Sequence, residues 1–146
     1  PAESETYMQK VRAMRENEQR WVSTDVDDAD YVFVAFGMCG RVMTGLIGEL
    51  REKGYKVGLI RPISAWPFPE KAFEELKAKN PNVKGFITVE TNGEGQMAED
   101  VAIYTRKHGL GAAPIYALAY ACGVPKDDVV TADFEKILAG EIKEVF

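Results

Sequence analysis

Histidine is all but missing from this sequence, and cysteine is scarce. The 146 residues include one histidine, His108, and two cysteines, Cys39 and Cys122. The cysteines lie far apart in the chain and match no zinc or iron–sulfur ligand spacing. His108 is remote from Cys39, which argues against a cysteine–histidine nucleophile. Both thiols read as the reduced cysteines of a cytosolic protein. Long apolar runs are absent too: none approaches the ~18–20 residues of a membrane span, and no signal-peptide pattern opens the chain. There is no surplus of positive charge, with 18 Lys and Arg against 23 Asp and Glu and a net charge of -5. That balance argues against a nucleic-acid partner, whose readers carry basic patches. An initiating methionine is lacking as well; the chain starts at Pro1, as a processed or excised piece of a longer protein would.

Two phosphate-loop signatures are also missing. Gly37-Met38-Cys39-Gly40-Arg41 follows an apolar run and precedes a helical pattern, the place where phosphates are held in nucleotide-binding folds. It has neither G-x-G-x-x-G spacing nor a G-K-[ST] ending, so its glycines read as room for a tight strand-to-helix turn. Cys39 beside that helix start occupies a position that can lower a thiol pKa. Asp25, Asp27, Asp28 and Asp30 crowd one short stretch, yet the glycine and distal glutamate of a calcium loop are not there. A solvated turn is the expectation.

What is present describes a single globular domain. Hydrophobic residues make up 46% and charged residues 28%, and a chain of this length buries about 70% of its unfolded surface without a metal or disulfide. Apolar strand-like runs alternate with helical patterns. Ser4 is placed to cap a polar helix from about Glu5 to Arg20, with Tyr7, Met8, Val11, Met14 and Trp21 near one narrow face suited to a neighbour. Trp21-Val22-Ser23 is short enough for an edge strand. Tyr31 to Phe36 is continuously apolar, as a strand buried on both faces requires. Val42, Leu46, Ile47 and Leu50 mark a helix closing at Lys53-Gly54. Tyr55 to Ile60 predicts a strand, Pro69 to Lys79 a helix, Gly85 to Glu90 a strand, and Met97, Val101 and Tyr104 the inner side of a helix. His108 and Gly109 end that helix, His108 stabilised by the macrodipole and Gly109 as the cap. Pro114 to Tyr120 predicts the last strand, and Asp133 is placed to cap a final helix through Ile137 and Leu138. This alternation means right-handed crossovers and a mostly parallel sheet.

Function is most concentrated in the loop that follows Val57-Gly58-Leu59-Ile60. Pro62, Pro67 and Pro69 fall within eight residues and impose a rigid, non-repeating path at a strand's C-terminal end, where open α/β sheets place ligands. Trp66 and Phe68, each followed by proline, read either as lids over the core or as interface anchors. Glu90 to Gln96 is the second candidate: Glu90, Asn92 and Gln96 leave the end of an apolar strand among glycines that allow close backbone approach. Arg61 and Glu90 are read as ending neighbouring parallel strands and facing each other. Their pairing would be either a ligand or partner contact or a buried salt bridge fixing the loops.

The runs DADYVFVAFG, GLIGELREKGYKVGLIRPISAWPFPEKAFEEL and VETNGEGQMAEDV resemble the C-terminal region of the α subunit of 2-oxoacid:ferredoxin oxidoreductases, of 2-oxoisovalerate or 2-oxoglutarate type. The resemblance covers roughly Asp28 to Val101 and is more specific than any single loop. It implies a transketolase C-terminal-like domain: three layers, αβα, around a five-stranded mixed sheet whose first short strand, Trp21 to Ser23, is antiparallel. Residues 1–20 would be a helix or linker from a preceding domain and residues 21–146 the domain itself. The resemblance implies an enzyme that oxidatively decarboxylates a 2-oxoacid to an acyl-CoA and reduces ferredoxin. Thiamine diphosphate and iron–sulfur clusters would be held by the full cytoplasmic, oligomeric complex. This domain would hold no cofactor, metal or catalytic residue, acting in assembly and in shaping the active-site region, with Arg61, Trp66, Phe68, Glu90, Asn92 and Gln96 at the strand-end interface. Its partners would be the other domains and subunits, with ferredoxin and CoA serving the complex, and neither nucleic acid nor membrane. A standalone flavodoxin-like module holding a nucleotide or flavin at Gly37–Arg41 is the alternative; a transketolase-like domain of another thiamine enzyme is a third.

Overall fold

The computed structural model describes residues 2–121 and 123–146; Pro1 and Cys122, one of the two thiols read as reduced, lie outside the described residues. The elements run α1 (Ala2–Asn17), β1 (Trp21–Thr24), β2 (Tyr31–Ala35), α2 (Gly37–Glu52), β3 (Val57–Pro62), α3 (Lys71–Lys79), β4 (Gly85–Glu90), α4 (Gln96–Lys107), β5 (Ile115–Ala119) and α5 (Asp127–Leu138). The strands form one sheet in the order β1-β3-β2-β4-β5. Only β1 is antiparallel to its neighbour; the β3–β2, β2–β4 and β4–β5 pairs are parallel. The mixed, mostly parallel sheet with an antiparallel first strand is the one predicted.

The apolar strands sort their side chains by simple alternation, because successive residues of a strand point to opposite faces. Val32, Val34, Ile60 and Phe86 meet Ala72, Phe73 and Leu76 of α3 and Met97, Ala98 and Val101 of α4. Phe33, Ala35, Leu59, Ile87 and Val89 meet Met43, Leu46, Ile47 and Leu50 of α2 and Val130, Phe134 and Ile137 of α5. The result is three layers, αβα. Phe134 locks α5 down by presenting its ring to the edges of Tyr31, Phe33 and Tyr55 at centroid distances of 5.8, 5.4 and 5.3 Å.

The aspartate-rich segment is a turn laid against β3. A Cβ at Gly58 would lie 2.6 Å from the Asp25 carbonyl oxygen, which explains a glycine in the middle of a buried strand. Arg51 ties this crossing together by donating to the carbonyls of Val57 and Asp25, both at 2.8 Å, and pairing with Asp28. The guanidinium holds the Asp28 carboxyl below its ordinary range. Asp27 and Asp30 pair with Lys79 and Lys84.

Three local expectations need correction. Ser4 does not cap α1, which already begins at Ala2. Gly37 to Gly40 is not a separate turn but the first turn of α2; Gly37, at φ 57°, makes the bend alone. Asp133 lies inside α5 rather than at its start, accepting from the Tyr120 hydroxyl at 3.1 Å and pairing with Lys136 at 2.8 Å. Smaller shifts affect β3, which starts at Val57, and α3, which starts at Lys71 after a turn through Pro69 and Glu70.

Candidate functional site

The chain reverses its direction of travel across the sheet at β2. α2 carries it from β2 out to β3, and α3 brings it back over the opposite face to β4 on β2's other side. Such a switch point leaves a crevice beyond the C-terminal ends of the strands. Here it is a cleft of about 550 Å³, walled by Phe36 to Cys39 after β2, by Pro62, Ser64, Ala65 and Phe68 after β3, and by residues 89–92, Gln96, Met97 and Asp100 around β4 and α4.

Glu90, the last residue of β4, forms the buried polar part of this cleft and is 8% exposed. Its Oε1 accepts the Met97 backbone N–H at 2.5 Å, while Oε2 has no hydrogen-bond partner. The loop above it is pre-shaped: the Asn92 side-chain oxygen accepts the N–H groups of Glu94 and Gly95 at 3.1 and 2.8 Å. Gly95, at φ 78°, folds the backbone closely over the carboxyl; a Cβ there would lie 3.4 Å from Oε2 and 3.1 Å from the Ala117 methyl. Burial pushes the Glu90 carboxyl up, the Met97 N–H and the Asn92 side chain pull it back, and Asp100 adds to the rise. Asp100 is itself raised by burial and by Glu99.

Cys39 also lines the cleft, in the first turn of α2, but its thiol is not activated. Burial, with the Glu90 charge behind it, pushes its pKa up, outweighing the backbone hydrogen bond that lowers it. His108 caps α4 with Gly109 at φ 73° behind it, and its Nε2 lies 3.4 Å from Glu70. It is remote from the cleft's lining, so the arrangement supplies no nucleophile with a base. What the cleft holds chemically is a carboxyl with one oxygen fixed by Met97 and the other buried without a partner, set among apolar and polar walls that carry no basic residue.

Of the residues singled out from the sequence, Phe68, Glu90, Asn92 and Gln96 share this cleft. Arg61 does not face Glu90. β2 stands between their strands, and alternation puts them on opposite faces: Leu59 points to the α2 side, hence Arg61 does too, while Glu90 reaches Met97 on the α4 side. The Arg61 stem runs beneath Gly40, where a Cβ would meet its Cγ at 3.0 Å, and its Nε is buried without a partner. Trp66 and Phe68 also part company. Phe68 is 8% exposed and stacks on Tyr104 with centroids 5.3 Å apart, a lid on the core rather than an exposed anchor, whereas Trp66 is 52% exposed. Phe36, Met38 and Ile63 are exposed as well; Phe36, expected to be buried in the strand, lies just beyond its end, and neither Met38 nor Ile63 was singled out as a surface residue. A signal existed: the apolar run of β2 overshoots the strand's end at Ala35 and continues into Phe36.

A three-layer domain with one antiparallel edge strand and a crevice at its switch point is a transketolase C-terminal-like fold. The split-gene transketolase (inactive β4 tetramer) superposes with a TM-score of 0.63 at 15% identity, over 82% of this chain and 41% of that one. The 2-oxoglutarate:ferredoxin oxidoreductase from Magnetococcus marinus, solved with 2-oxoglutarate, coenzyme A and succinyl-CoA bound, superposes with a TM-score of 0.68. That likeness is 20% identical and covers 93% of this chain and 23% of that one. At these identities the likeness is one of fold. Sequence narrows it further. The family model for pyruvate:ferredoxin oxidoreductase core domain II matches residues 29–130. Ketoisovalerate oxidoreductase subunit VorB of Methanothermobacter marburgensis is 42% identical over 96 residues, which are 65% of this chain and 26% of that subunit. This chain belongs to the pyruvate:ferredoxin oxidoreductase core domain II family, and it spans about a quarter of that relative's length.

Proposed function

We propose that this chain is the C-terminal domain of the α subunit of a cytoplasmic 2-oxoacid:ferredoxin oxidoreductase, of 2-oxoisovalerate or 2-oxoglutarate type. The complete enzyme oxidatively decarboxylates a 2-oxoacid to its acyl-CoA and passes electrons to ferredoxin. The observation that carries this reading is the family match over residues 29–130, which contains every strand but β1 and the whole cleft. Residues 21–146 are the domain, and residues 1–20 are the link to a preceding one. The flavodoxin-like alternative has no comparable support: the Gly37–Arg41 stretch is helix, and none of the relatives named above points to a flavin.

Within that enzyme the domain contributes assembly and shape, not reacting groups. The cleft does not fit a diphosphate, since its charged lining consists of Glu90 and Asp100 and includes no Lys, Arg or His. Among the described residues no group of three or more His, Cys, Asp or Glu could hold a metal ion, and the Cys39 thiol is buried and raised. Thiamine diphosphate and the iron–sulfur clusters are therefore assigned to other parts of the complex. Trp66, with Glu90, Asn92 and Gln96 behind it, is assigned to the surface that meets those parts; Arg61 and Phe68 support it from within. No helix of the described chain is long and apolar enough to cross a membrane.

The test is co-expression of the complete subunits, followed by oxidation of pyruvate, 2-oxoisovalerate and 2-oxoglutarate with CoA and ferredoxin. Thiamine-dependent, CoA-dependent ferredoxin reduction with at least one of them is expected. Failure with all three in an assembled complex overturns the assignment.

A further inference from the structure

An asparagine loses its side-chain amide when the backbone nitrogen of the next residue attacks it, which puts asparagine among the thermolabile residues. This chain has four: Asn17, Asn80, Asn82 and Asn92. The reaction needs a following N–H that is free and a following side chain that does not crowd the approach. Asn17 precedes Glu18, whose N–H is committed to the Met14 carbonyl at 2.9 Å. Asn80 precedes Pro81, which has no N–H, and its own amide donates to the carbonyls of Val26 and Ala29 at 2.9 and 2.8 Å. Asn82 precedes Val83, whose branched side chain is buried against the core. Only Asn92 is followed by glycine. Asn92, Gly93 and Glu94 are all exposed, and the Gly93 N–H has no acceptor among the described residues.

The loop also favours the reaction electrostatically. The Asn92 Oδ1 accepts the N–H groups of Glu94 and Gly95 at 3.1 and 2.8 Å. Attack on the amide carbon pushes negative charge onto that oxygen, so both donors stand where the charge develops. Gly93, at φ 76°, has no Cβ to shield its nitrogen.

We propose that Asn92 is a site of spontaneous deamidation in the folded domain, converting to aspartate and isoaspartate. The Gly93 nitrogen gives its proton to solvent base and bonds to the Asn92 Cγ. The Cγ–Nδ2 bond breaks, and the nitrogen takes up a proton from water and leaves as ammonia. One water then opens the succinimide, at one carbonyl to aspartate or at the other to isoaspartate. The sum is amide plus water giving acid plus ammonia, with nothing oxidised or reduced. Aspartate keeps the acceptor oxygen of the turn. Isoaspartate routes the main chain through the former side chain, adds one methylene to it, and slackens the turn that folds Gly95 over the Glu90 carboxyl. Either product places a new carboxylate on a cleft wall that already holds Glu90 and Asp100 and no basic residue.

Incubation of the full chain under native conditions at pH 7, 8 and 9 tests this. Peptide mass spectrometry should find amide-to-acid conversion at Asn92 about tenfold or more ahead of Asn17, Asn80 and Asn82, a small part of what two aligned donors contribute to an enzyme's oxyanion. The rate should climb with pH, because the attacking nitrogen must first lose its proton. Isoaspartate should accompany aspartate, which direct hydrolysis does not produce, and Asn92→Asp should abolish the release of ammonia. Conversion spread evenly over the four asparagines overturns the proposal. So does conversion at Asn92 that begins only when urea unfolds the chain, or ammonia undiminished in Asn92→Asp. The chromatographically enriched isoaspartate form should unfold at a lower temperature than Asn92→Asp, which carries the same charge on an unaltered main chain. Equal midpoints would overturn the slackening of the turn.

Discussion

At the scale of single residues, Glu90 and Gly40 show how the cleft's geometry becomes measurable. The Glu90 carboxyl holds its proton more readily in the fold than in the unfolded chain, where its ordinary value is 4.5. Between that value and the raised one, the folded state binds more protons, so stability falls as pH rises through the window. Asp100 acts in the same sense. Glu70 acts oppositely: burial pushes it up, but Lys107 and His108 draw it lower overall, and its contribution is lost as pH falls. The Glu90→Gln variant isolates the first effect. Its advantage over the parent in urea unfolding should be larger at pH 7 than at pH 4, by about 1.4 kcal/mol for each tenfold gain in the carboxyl's proton affinity on folding; an advantage constant with pH would refute the assignment. Gly40 is fixed by sterics, since a Cβ there would lie 2.8 Å from the Ala35 carbonyl oxygen and 3.0 Å from Arg61 Cγ. Gly40→Ala should cost about 1–3 kcal/mol in denaturant unfolding. Gly45→Ala and Gly48→Ala, on the exposed side of the same helix with open space around them, should gain up to about 1 kcal/mol each. The cleft's polar lining was legible in the sequence where chemistry is local: polar residues and glycines leaving an apolar strand point to Glu90, Asn92 and Gln96. Arg61 was misplaced because its relation to Glu90 depends on strand order and on residue parity across β2, which no local pattern contains.

At the scale of elements, strands were more legible than helix starts, for a physical reason. β2 and β4 are buried on both faces, so their mostly apolar runs stand out and place both strands to within a residue of their observed limits. Helix starts announce themselves through capping side chains just before the helix, and α2 to α5 do not use those; α3 and α4 take their side-chain acceptors from Gln19 and Glu90, remote from the N-cap positions. α2, α3, α4 and α5 all begin at residues that make no side-chain cap hydrogen bond. Ser4 and Asp133 carried the usual capping chemistry and marked nothing; the true start of α5, at Asp127, follows Lys126 in extended backbone. What holds α5 is packing. Phe134, 1% exposed, fills the space between Tyr31, Phe33 and Tyr55, and Tyr120 and Tyr55 hydrogen-bond to the outer side of the helix through Asp133 and Glu135. Phe134→Ala should therefore cost about 3–5 kcal/mol. Hydrogen exchange should show α5 losing protection before the central strands do; uniform loss across the sheet would mean that the helix and sheet form a single cooperative unit.

At the scale of the whole molecule, α1 is the part that the domain does least to hold. Every described side chain from Ser4 to Glu18 is exposed except Val11, which is half-buried, and Tyr7, Met8 and Met14 present apolar surface at 65%, 45% and 39% exposure. Its attachment lies almost wholly at its end. Gln19 accepts the Lys71 N–H at 3.0 Å, the Arg20 carbonyl accepts from Ile63 and Ser64, and the Arg20 N–H donates to the Ser64 hydroxyl. These contacts tie the chain to the loop that carries Trp66, so the helix leaves the domain beside the proposed assembly surface. A helix of this length is marginal in water without packing, and an exposed apolar stripe on it implies a neighbour that supplies the packing. If residues 1–20 are a link rather than part of the folded unit, a variant beginning at Glu18 keeps the Gln19 and Arg20 contacts to Lys71, Ile63 and Ser64 and loses α1 together with the Lys71 Nζ bond to the Glu16 carbonyl and the bonds of Gln19 and Arg20 to the Arg15 and Asn17 carbonyls. Its stability in urea should drop by no more than about 1 kcal/mol, the scale of the exposed hydrogen bonds that α1 forfeits. Far-UV circular dichroism should lose the signal of one helix while near-UV signals from Trp21 and Trp66 persist. A larger loss, or collapse of the near-UV spectrum, would place α1 inside the domain and move its boundary to the start of the helix.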